Sequence, residues 1–494
     1  MNEWTRIMLL SFPSNIDAAV AAGELQMTID GEPVGAAPAL VVINPATGEP
    51  AGRAPDAGTA DLDRAVAAAR AALPRWSGMT HAARAERLGA FADAIQRRAH
   101  DVAAVLTLEQ GKELASATFE IFGTVAWMKQ FSTIEIPEAV IRPVGRDGLV
   151  VRHRPVGVVG AIAPWNVPVF LGFMKVAQAL IAGCTIVLKP SPFTPLSTLL
   201  VGALSRGILP PGVLNVVSGG DALGQAMTDH EGIDKISFTG STETGKRVVE
   251  SASRTMKRVT LELGGNDPAI ILPDADLDRI VPALMIGAFG NAGQVCMAIK
   301  RLFVHEDIHD EVAARLAVLA RDHVVGSGFE PGTAMGPIQN RAQFDRVIEL
   351  VEDAGRMPGA QILAGGKPLD GPGFFYPPTL VVGLDDDARL VREEQFGPAL
   401  PILSWRTEDE VIARANATRF GLSASIWTRD LEKAQDMSKR LDVGTVWINA
   451  HGLPDPAAPF GGTKESGLGR SFGPMGVEAY MEAQTLSIEP SLPM

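Results

Sequence analysis

The segment VGVVGAIAPWNVPVFLGFMKVAQALIAGCTIVLKP, residues 156–190, decides the fold more clearly than any other stretch of this chain. It opens with a run of small and β-branched apolar residues, Val156 to Ile162, which is typical of a strand buried on both faces. An apolar segment with helical periodicity follows at 169–181. Residues 185–188 then form a second short apolar run. Strand, helix and strand in this order predict a βαβ unit and therefore a parallel sheet.

The same alternation continues along the rest of the chain. Further strands are predicted at 213–217, 235–238 and 259–263, with helices at 197–206, 221–230 and 243–251. Beyond Gly264 and Gly265, strands are predicted at 269–272, 302–304, 402–405, 423–427 and 445–448, with helices at 311–321 and 341–354. Two α/β domains with a boundary near Gly264 are therefore expected. Residues 60–130 have helical periodicity, whereas 131–152 have the pattern of an extended or hairpin arm.

Composition narrows the class of protein. The chain has 494 residues, 46% of them apolar and 20% charged, with a formal net charge of -13. An acidic chain of this kind disfavours nucleic acid and anionic membranes as partners. Two cysteines cannot form a disulfide framework, so a reducing cytoplasm is the expected compartment. The apolar run Ile7–Phe12 lacks the features of a signal peptide, and no His/Cys cluster has metal-ligand spacing.

Four polar or glycine-containing segments follow successive predicted strands. They are Ala163-Pro-Trp-Asn166, Leu188-Lys-Pro-Ser191, Ser218-Gly-Gly220 and Phe238-Thr-Gly-Ser-Thr-Glu-Thr-Gly245. Ligands bind at the carboxyl ends of parallel strands, and glycines before a helix let backbone N–H groups approach phosphate. Each segment alone is also compatible with an ordinary tight turn, and none matches the full G-x-G-x-x-G pattern. Their occurrence at successive strand ends favours a nucleotide site.

Three residues are candidates for chemistry. Cys296 follows the small-residue segment 289–295, with polar Asn291 and Gln294 nearby, whereas the other cysteine, Cys184, has the setting of a buried core thiol. Glu262 ends an apolar strand at the predicted domain junction, where it is either solvated or tuned as an acid or base. Asn166 either caps the following helix or donates a hydrogen bond to a developing oxyanion.

These segments together resemble the aldehyde dehydrogenase superfamily over residues 40 to 480. The motifs that carry the resemblance are Pro164-Trp-Asn166, Lys189-Pro-Ser191, Phe238 to Gly245, Leu261-Glu-Leu-Gly-Gly265, Gly293-Gln-Val-Cys296, Glu393-Glu-Gln-Phe-Gly-Pro398, Pro459-Phe-Gly-Gly462 and Ser466-Gly-Leu-Gly-Arg470. The resemblance implies an α/β fold with two Rossmann-like parallel-sheet domains, for cofactor and catalysis, plus a small β oligomerisation arm. The expected boundaries are 1–132 with 153–263 for the dinucleotide-binding domain, 264–477 for the catalytic domain, and 133–152 with 478–494 for the arm.

The resemblance also implies residue roles. Cys296 would be the nucleophile, Glu262 the general base, and the Asn166 side chain with the Cys296 N–H the oxyanion hole. The expected cofactor-binding residues are Ile162, Pro164, Trp165, Lys189, Ser191, Gly220, Gly224, Phe238, Thr239, Gly240, Ser241, Gly245, Leu263, Glu394 and Phe396. NAD is the expected cofactor, and NADP stays open because Pro192 stands where many NAD-preferring members carry a glutamate. No metal is expected.

A substrate tunnel is expected beside the thiol. By resemblance its lining comprises Trp127, Val167, Phe170, Leu171, Met174, Val295, Met297, His451, Leu453 and Phe460. This set is largely apolar and offers no arginine for a substrate carboxylate, so a hydrophobic or aromatic aldehyde is the expected substrate. A homodimer or homotetramer is the expected assembly. The alternatives are a CoA-acylating member of the family, a cysteine esterase or amidase, and a non-catalytic binding protein.

Overall fold

The computed structural model describes residues 25–37, 39–143 and 148–488. The apolar run Ile7–Phe12 lies outside the described residues, as do the start of the expected first domain and the end of the expected arm. Within the described ranges, no helix is long and apolar enough to cross a membrane.

The strands alternate with helices as the sequence predicts. The strands are, in chain order, β1 (Met27–Ile29), β2 (Glu32–Val34), β3 (Ala39–Ile43), β4 (Pro50–Pro55), β5 (Ala139–Arg142), β6 (Gly148–Pro155), β7 (Val158–Ile162), β8 (Thr185–Lys189), β9 (Leu214–Val216), β10 (Lys235–Thr239), β11 (Arg258–Glu262), β12 (Asp267–Ile271), β13 (Ile299–His305), β14 (Gln361–Ala364), β15 (Thr379–Val382), β16 (Ala399–Trp405), β17 (Phe420–Gly421), β18 (Ser423–Trp427), β19 (Thr445–Ile448), β20 (Thr463–Lys464), β21 (Gly467–Leu468) and β22 (Met481–Ile488).

The helices agree with the predicted segments to within a few residues at most of their ends. Five further helices were not predicted from the sequence, at 277–289, 389–392, 408–416, 431–438 and 473–478. The helices are, in chain order, α1 (Thr59–Ser77), α2 (His81–Arg97), α3 (Ala99–Gln110), α4 (Leu114–Phe131), α5 (Pro168–Ile181), α6 (Leu196–Leu204), α7 (Asp221–Asp229), α8 (Thr242–Ser253), α9 (Leu277–Phe289), α10 (His309–Arg321), α11 (Arg341–Gly355), α12 (Arg389–Arg392), α13 (Glu408–Asn416), α14 (Leu431–Ser438) and α15 (Gly473–Glu478).

The first large sheet has the order β2-β1-β9-β8-β7-β10-β11-β21. Its five central strands, which are β9, β8, β7, β10 and β11, are mutually parallel. Antiparallel strands lie at both edges. Every residue of β8 and β10 is buried, as expected for strands covered on both faces. The carboxyl ends of β7, β8, β10 and β11 therefore meet at one edge, where the candidate residues lie.

The second large sheet has the order β14-β15-β16-β13-β12-β18-β19. All its pairs are parallel except β14 with β15. This arrangement confirms the prediction of a mixed α/β protein with two parallel sheets. A separate three-stranded antiparallel sheet, β22-β6-β5, contains the segment predicted to be extended.

The chain returns to the first sheet after it has completed the second. Strand β21 pairs with β11, with Glu262 opposite Gly467. Phe460, Phe472 and Tyr480 from the same late segment pack in the hydrophobic core of the first sheet. The late segment therefore closes over the strand end that carries Glu262. The boundaries of the two expected domains stay predictions.

Candidate active site

Asn166 lies in the turn between β7 and α5 and is 3% exposed. Its Nδ2 donates to the carbonyl oxygen of Gln294 at 2.8 Å. Its own carbonyl oxygen accepts from Lys112 Nζ and from Asn291 Nδ2, both at 3.0 Å. These contacts tie the turn after β7 to the segment that precedes Cys296. One amide N–H of Asn166 is used by Gln294, and the residue lines the large cavity described below.

The side chain that caps α5 belongs to Glu120, not to Asn166. Glu120 Oε1 accepts from the backbone N–H groups of Val169 and Phe170 at 3.0 and 3.1 Å. Its other oxygen forms a buried ion pair with Lys112 at 2.6 Å. A carboxylate is favourable at a helix N-terminus because the first N–H groups have no partner within the helix. The Asn166 amide is thereby free of the capping role that sequence alone leaves open.

Cys296 follows a strained turn. Asn291, Ala292 and Gly293 have φ values of 53°, 55° and 68°, a left-handed run in which two residues are not glycine. At Gly293 a Cβ atom would lie 2.4 Å from the carbonyl oxygen of Gly397, so only glycine fits. Non-glycine residues in this region cost about 1–3 kcal/mol each and are concentrated at functional sites. The turn presents the Cys296 side chain to the cavity.

The Cys296 thiol is not acidic in its surroundings. Burial raises the pKa of the thiol to about 12, and the charge of Lys300 opposes that shift. At neutral pH the group is therefore a thiol, and a neighbouring base has to take its proton before sulfur can act as a nucleophile.

Glu262 is a candidate for that base. It is 8% exposed at the end of β11, and neither carboxyl oxygen has a hydrogen-bond partner among the described residues. Burial raises its pKa to about 7, and the charges of Lys175 and Arg470 oppose that shift. A carboxyl group that titrates near neutrality is suited to both accepting and returning a proton.

A cavity of about 1090 Å³ extends from Cys296 along the carboxyl edge of the first sheet. The expected cofactor residues that line it are Ile162, Pro164, Trp165, Lys189, Ser191, Gly224, Phe238, Thr239, Gly240, Ser241, Leu263, Glu394 and Phe396. Gly220 and Gly245 do not line it. Gly220 precedes α7, and Gly245 lies in the first turn of α8, where a Cβ atom would approach Leu263 to 2.6 Å.

The cavity suits a dinucleotide at both of its ends. The N-terminus of α8 opens onto it at Ser241 and Thr242, which provides backbone N–H groups for a phosphate. At the end near Cys296, the Glu394 carboxylate rests against Gly264, where a Cβ atom would lie 2.1 Å from Glu394 Oε2. The Phe396 ring packs edge-on against Trp165 at a centroid distance of 5.3 Å. The residues present therefore fit the expected cofactor.

The expected tunnel residues differ in where the structure places them and in how far they are exposed. Leu171 lines the cavity, while Trp127 and Phe170 form an aromatic cluster with Phe472 at centroid distances of 4.9–6.4 Å. Phe460 stacks on Phe472 at 5.8 Å. Met174 is 1% exposed, Leu453 is 68% exposed, and Val167, Val295 and Met297 are half-buried beside the turn or thiol segments.

His451 lies beside the segment that carries Cys296 but does not line the cavity. Its Nε2 donates to the carbonyl oxygen of Met297 at 2.6 Å, and its Nδ1 lies 2.9 Å from Ser425 Oγ. Burial lowers the pKa of the imidazole to about 4, so the ring is neutral. With both ring nitrogens engaged, His451 is not oriented as a base for Cys296.

Three residues beside the site escape the sequence reading. The role of Phe472 cannot be recognised from the sequence because its partners Trp127 and Phe170 lie hundreds of positions earlier. Glu120 is equally hard to recognise, since the N–H of Val169 that it accepts from lies 49 positions later. Lys300 does leave a signal, since Lys300-Arg301 interrupts the apolar strand β13 only four positions after Cys296. A buried cation beside a candidate nucleophile is a reason to look for a role.

Two parallel α/β sheets, with a thiol, an amide and a buried carboxyl group beside a dinucleotide-sized cavity, define a nucleotide-dependent oxidoreductase. The chain belongs to the aldehyde dehydrogenase family, whose sequence model matches residues 35–486. The family resemblance of the motifs is thus confirmed.

Individual relatives cover almost the whole chain. Retinal dehydrogenase 2 of Homo sapiens is 42% identical over 457 residues, which span 91% of this chain and 88% of that protein. The NAD+ complex of aldehyde dehydrogenase from Bacillus cereus superposes with a TM-score of 0.92 at 38% identity, covering 94% of this chain and 96% of the other. Betaine aldehyde dehydrogenase from Staphylococcus aureus, in complex with NAD+, gives a TM-score of 0.94 at 33% identity, with 98% and 99% coverage.

Proposed function

We propose that this protein oxidises an aldehyde to the carboxylic acid, with NAD as the hydride acceptor, through thioester chemistry at Cys296. One observation carries the proposal: the Cys296 thiol and the Asn166 amide share one cavity with the residues expected to hold a dinucleotide. An aldehyde has no leaving group, so addition of a nucleophile such as the Cys296 sulfur leads to an acid only if an acceptor removes hydride from the adduct.

The residues divide the reaction into two halves. Glu262 takes the proton of the Cys296 thiol and releases it to solvent. The sulfur then adds to the aldehyde carbon, and the resulting oxyanion accepts hydrogen bonds from Asn166 Nδ2 and the Cys296 N–H. NAD, when bound, would supply the acceptor for the hydride that leaves as the thiohemiacetal becomes a thioester. Glu262 then takes a proton from a water molecule, whose oxygen attacks the thioester carbonyl. The carboxylic acid leaves as sulfur departs, Glu262 returns the proton to the sulfur, and the enzyme is back in its starting state.

The test of this activity combines two measurements on the same protein. Purified protein is mixed with aldehyde and NAD, and the absorbance of the reduced cofactor is followed together with release of the acid. Stoichiometric formation of both products is expected, and none from the C296A variant. Acid release without reduced cofactor would point to the cysteine hydrolase instead, although the two engaged nitrogens of His451 disfavour a Cys–His pair.

A CoA-acylating enzyme is the closest alternative within the family. It would pass the acyl group to CoA and would not need a base to activate water. The raised pKa of Glu262, a group poised to accept a proton from water near neutral pH, supports hydrolysis. Full turnover in the absence of CoA is expected, and a strict requirement for CoA would overturn this part of the proposal.

NAD is the proposed cofactor, and the NAD+ complexes of the two bacterial relatives support it. Lys189, Ser191 and Pro192 line the same cavity. Because position 192 is a proline, no carboxylate stands there to repel the 2′-phosphate of NADP, and the preference between the two cofactors has to be measured. Comparison of kcat/KM for NAD and NADP decides the preference, and a large preference for NADP would refute this choice.

A hydrophobic or aromatic aldehyde is the proposed substrate. The aromatic cluster of Trp127, Phe170 and Phe472 supports it, since such faces bind apolar groups well. The name of the human relative, retinal dehydrogenase 2, points to an apolar aldehyde, and that of the Staphylococcus aureus relative to a cationic one. A kcat/KM panel of short, long, aromatic, quaternary-ammonium and carboxylated aldehydes tests this, and a clear advantage for a carboxylated aldehyde would refute it.

The proposal extends to location and assembly. Both cysteines are free, which supports a reducing, cytoplasmic compartment.

The three-stranded sheet exposes Val140, Ile141 and Leu486, which supports a homodimer or homotetramer built through this arm. Light scattering on the purified protein is expected to give two or four chains, and a monomeric mass would refute the assembly.

A further inference from the structure

Lys300 is a buried cation that no step of the proposed reaction uses. It lies on β13 and is 1% exposed. Its Nζ donates to the carbonyl oxygens of Val295 and Cys296, both at 2.7 Å, and lies 3.3 Å from Glu394 Oε1. An ammonium group has three N–H donors, so these three acceptors satisfy it completely and fix its position.

The contact with Val295 reaches the proposed oxyanion hole through a single peptide group. The carbonyl of Val295 and the N–H of Cys296 belong to the same planar, trans peptide, in which the two bonds point in opposite directions. Since the carbonyl points to Lys300, the N–H points away from the lysine. Hydrogen bonds in a chain polarise one another, and a cation at the carbonyl end makes the N–H a stronger donor.

We propose that Lys300 is a positioning residue that orients and polarises the Val295–Cys296 peptide, so that the Cys296 N–H stabilises the oxyanion more strongly. This inference rests on the proposed function, because it presupposes chemistry at Cys296. The second contact, to the Cys296 carbonyl, holds the peptide that follows the nucleophile on the same side. The ion pair with Glu394 couples the thiol segment to the residue expected to bind the cofactor ribose.

Hydrolysis of a p-nitrophenyl ester without cofactor separates an effect of Lys300 on Cys296 chemistry from an effect on cofactor binding. Ester cleavage uses the nucleophile and the oxyanion hole, and without cofactor an effect of Lys300 through Glu394 on cofactor binding cannot change its rate. For Lys300→Met, kcat for the ester is expected to fall about ten-fold, a fraction of the roughly 100-fold loss of a whole oxyanion donor, with KM nearly unchanged. Lys300→Gln keeps N–H donors without the charge, and its kcat for the ester is expected to lie between those of wild type and Lys300→Met.

Lys235→Met is the matched control, because Lys235 is also 1% exposed but lies on β10 and donates to Thr260. It is expected to lower thermal stability and leave ester kcat within about two-fold of wild type. Should Lys300→Met fail to fold, Lys300→Gln alone decides.

Ester kcat at the wild-type level in folded Lys300→Met or Lys300→Gln would overturn the inference, and a loss confined to NAD binding would show that Lys300 acts only through Glu394. A Cys296→Ala variant tests the proposed function separately. If it still cleaves ester and oxidises aldehyde, the proposed function fails. If it is inactive while the Lys300 variants are normal, only the inference about Lys300 fails.

Discussion

The two cysteines have thiols of similarly low acidity but differ in exposure, since Cys184 is buried and Cys296 is half-buried. Burial raises the pKa of Cys184 to about 11 and that of Cys296 to about 12. Cys184 is 0% exposed in the core between α5 and β8, and its sulfur donates to the carbonyl oxygen of Tyr480 at 3.2 Å. Cys296 lines the cavity. A low thiol pKa is therefore not what would make one of them reactive; the neighbouring amide, carboxyl group and open space would.

The sharpest test replaces each cysteine in turn. Cys296→Ala is expected to reduce kcat for aldehyde oxidation by at least about 1000-fold, because the covalent route is lost. Cys184→Ala is expected to keep kcat and to lose about 1 kcal/mol of unfolding free energy through a small cavity. Steady-state kinetics and thermal unfolding of the two variants give the comparison. Equal losses of activity would mean that position in the cavity does not matter.

A second test compares two buried carboxyl groups whose pKa values are both raised to about 7, Glu262 and Glu109. Glu109 accepts from the N–H groups of Leu196 and Ser197 and caps α6. Glu262→Gln is expected to lower kcat by about 100–10,000-fold.

The pH dependence follows from the direction of the Glu262 shift. A carboxyl group is a base only when ionised, so wild-type kcat is expected to rise as pH increases through about 7. Glu109→Gln is expected to keep that rise while losing stability. A wild-type profile that is flat between pH values of about 6 and 8 would remove Glu262 from the role of base.

Replacement of Asn166 by Ala has a smaller expected effect, about 100-fold in kcat, from the loss of one oxyanion donor. The Kd for NAD is expected to stay within about two-fold, as measured by quenching of protein fluorescence. A change in Kd with kcat preserved would indicate that Asn166 serves the cofactor and not the thiol segment.

An effect on rate smaller than that of Asn166→Ala is expected from the ion pair outside the cavity, Lys112 and Glu120. Glu120→Ala leaves a buried ammonium group without its partner and α5 without its cap, which is expected to cost about 3–5 kcal/mol of unfolding free energy. If the variant folds, its kcat should fall less than that of Asn166→Ala. Denaturant unfolding and kinetics on one preparation measure both, and unchanged stability would contradict the capping assignment.

The sequence predicts most strands of both sheets because each parallel strand is a short apolar run, and the helical segments before and after it mark where it begins and ends. It also predicts that Asn166 and Cys296 are candidates, since both belong to ordered motifs. It does not predict the roles of Glu120 or Phe472, whose partners are brought together only by tertiary packing. Nor does it resolve His451, because a histidine's protonation and orientation depend on which acceptors surround it.

The pairing of β21 with β11 has a consequence for how the protein is made. Glu262 lies opposite Gly467, a residue that the ribosome adds about 200 residues later. The strand end that carries Glu262 stays uncovered while the whole second sheet is synthesised. A nascent chain can therefore bury its first core early and still have no finished reaction centre, and pairing across so long a loop is intrinsically slow. Chemical competence should then be among the last properties that the growing polypeptide acquires.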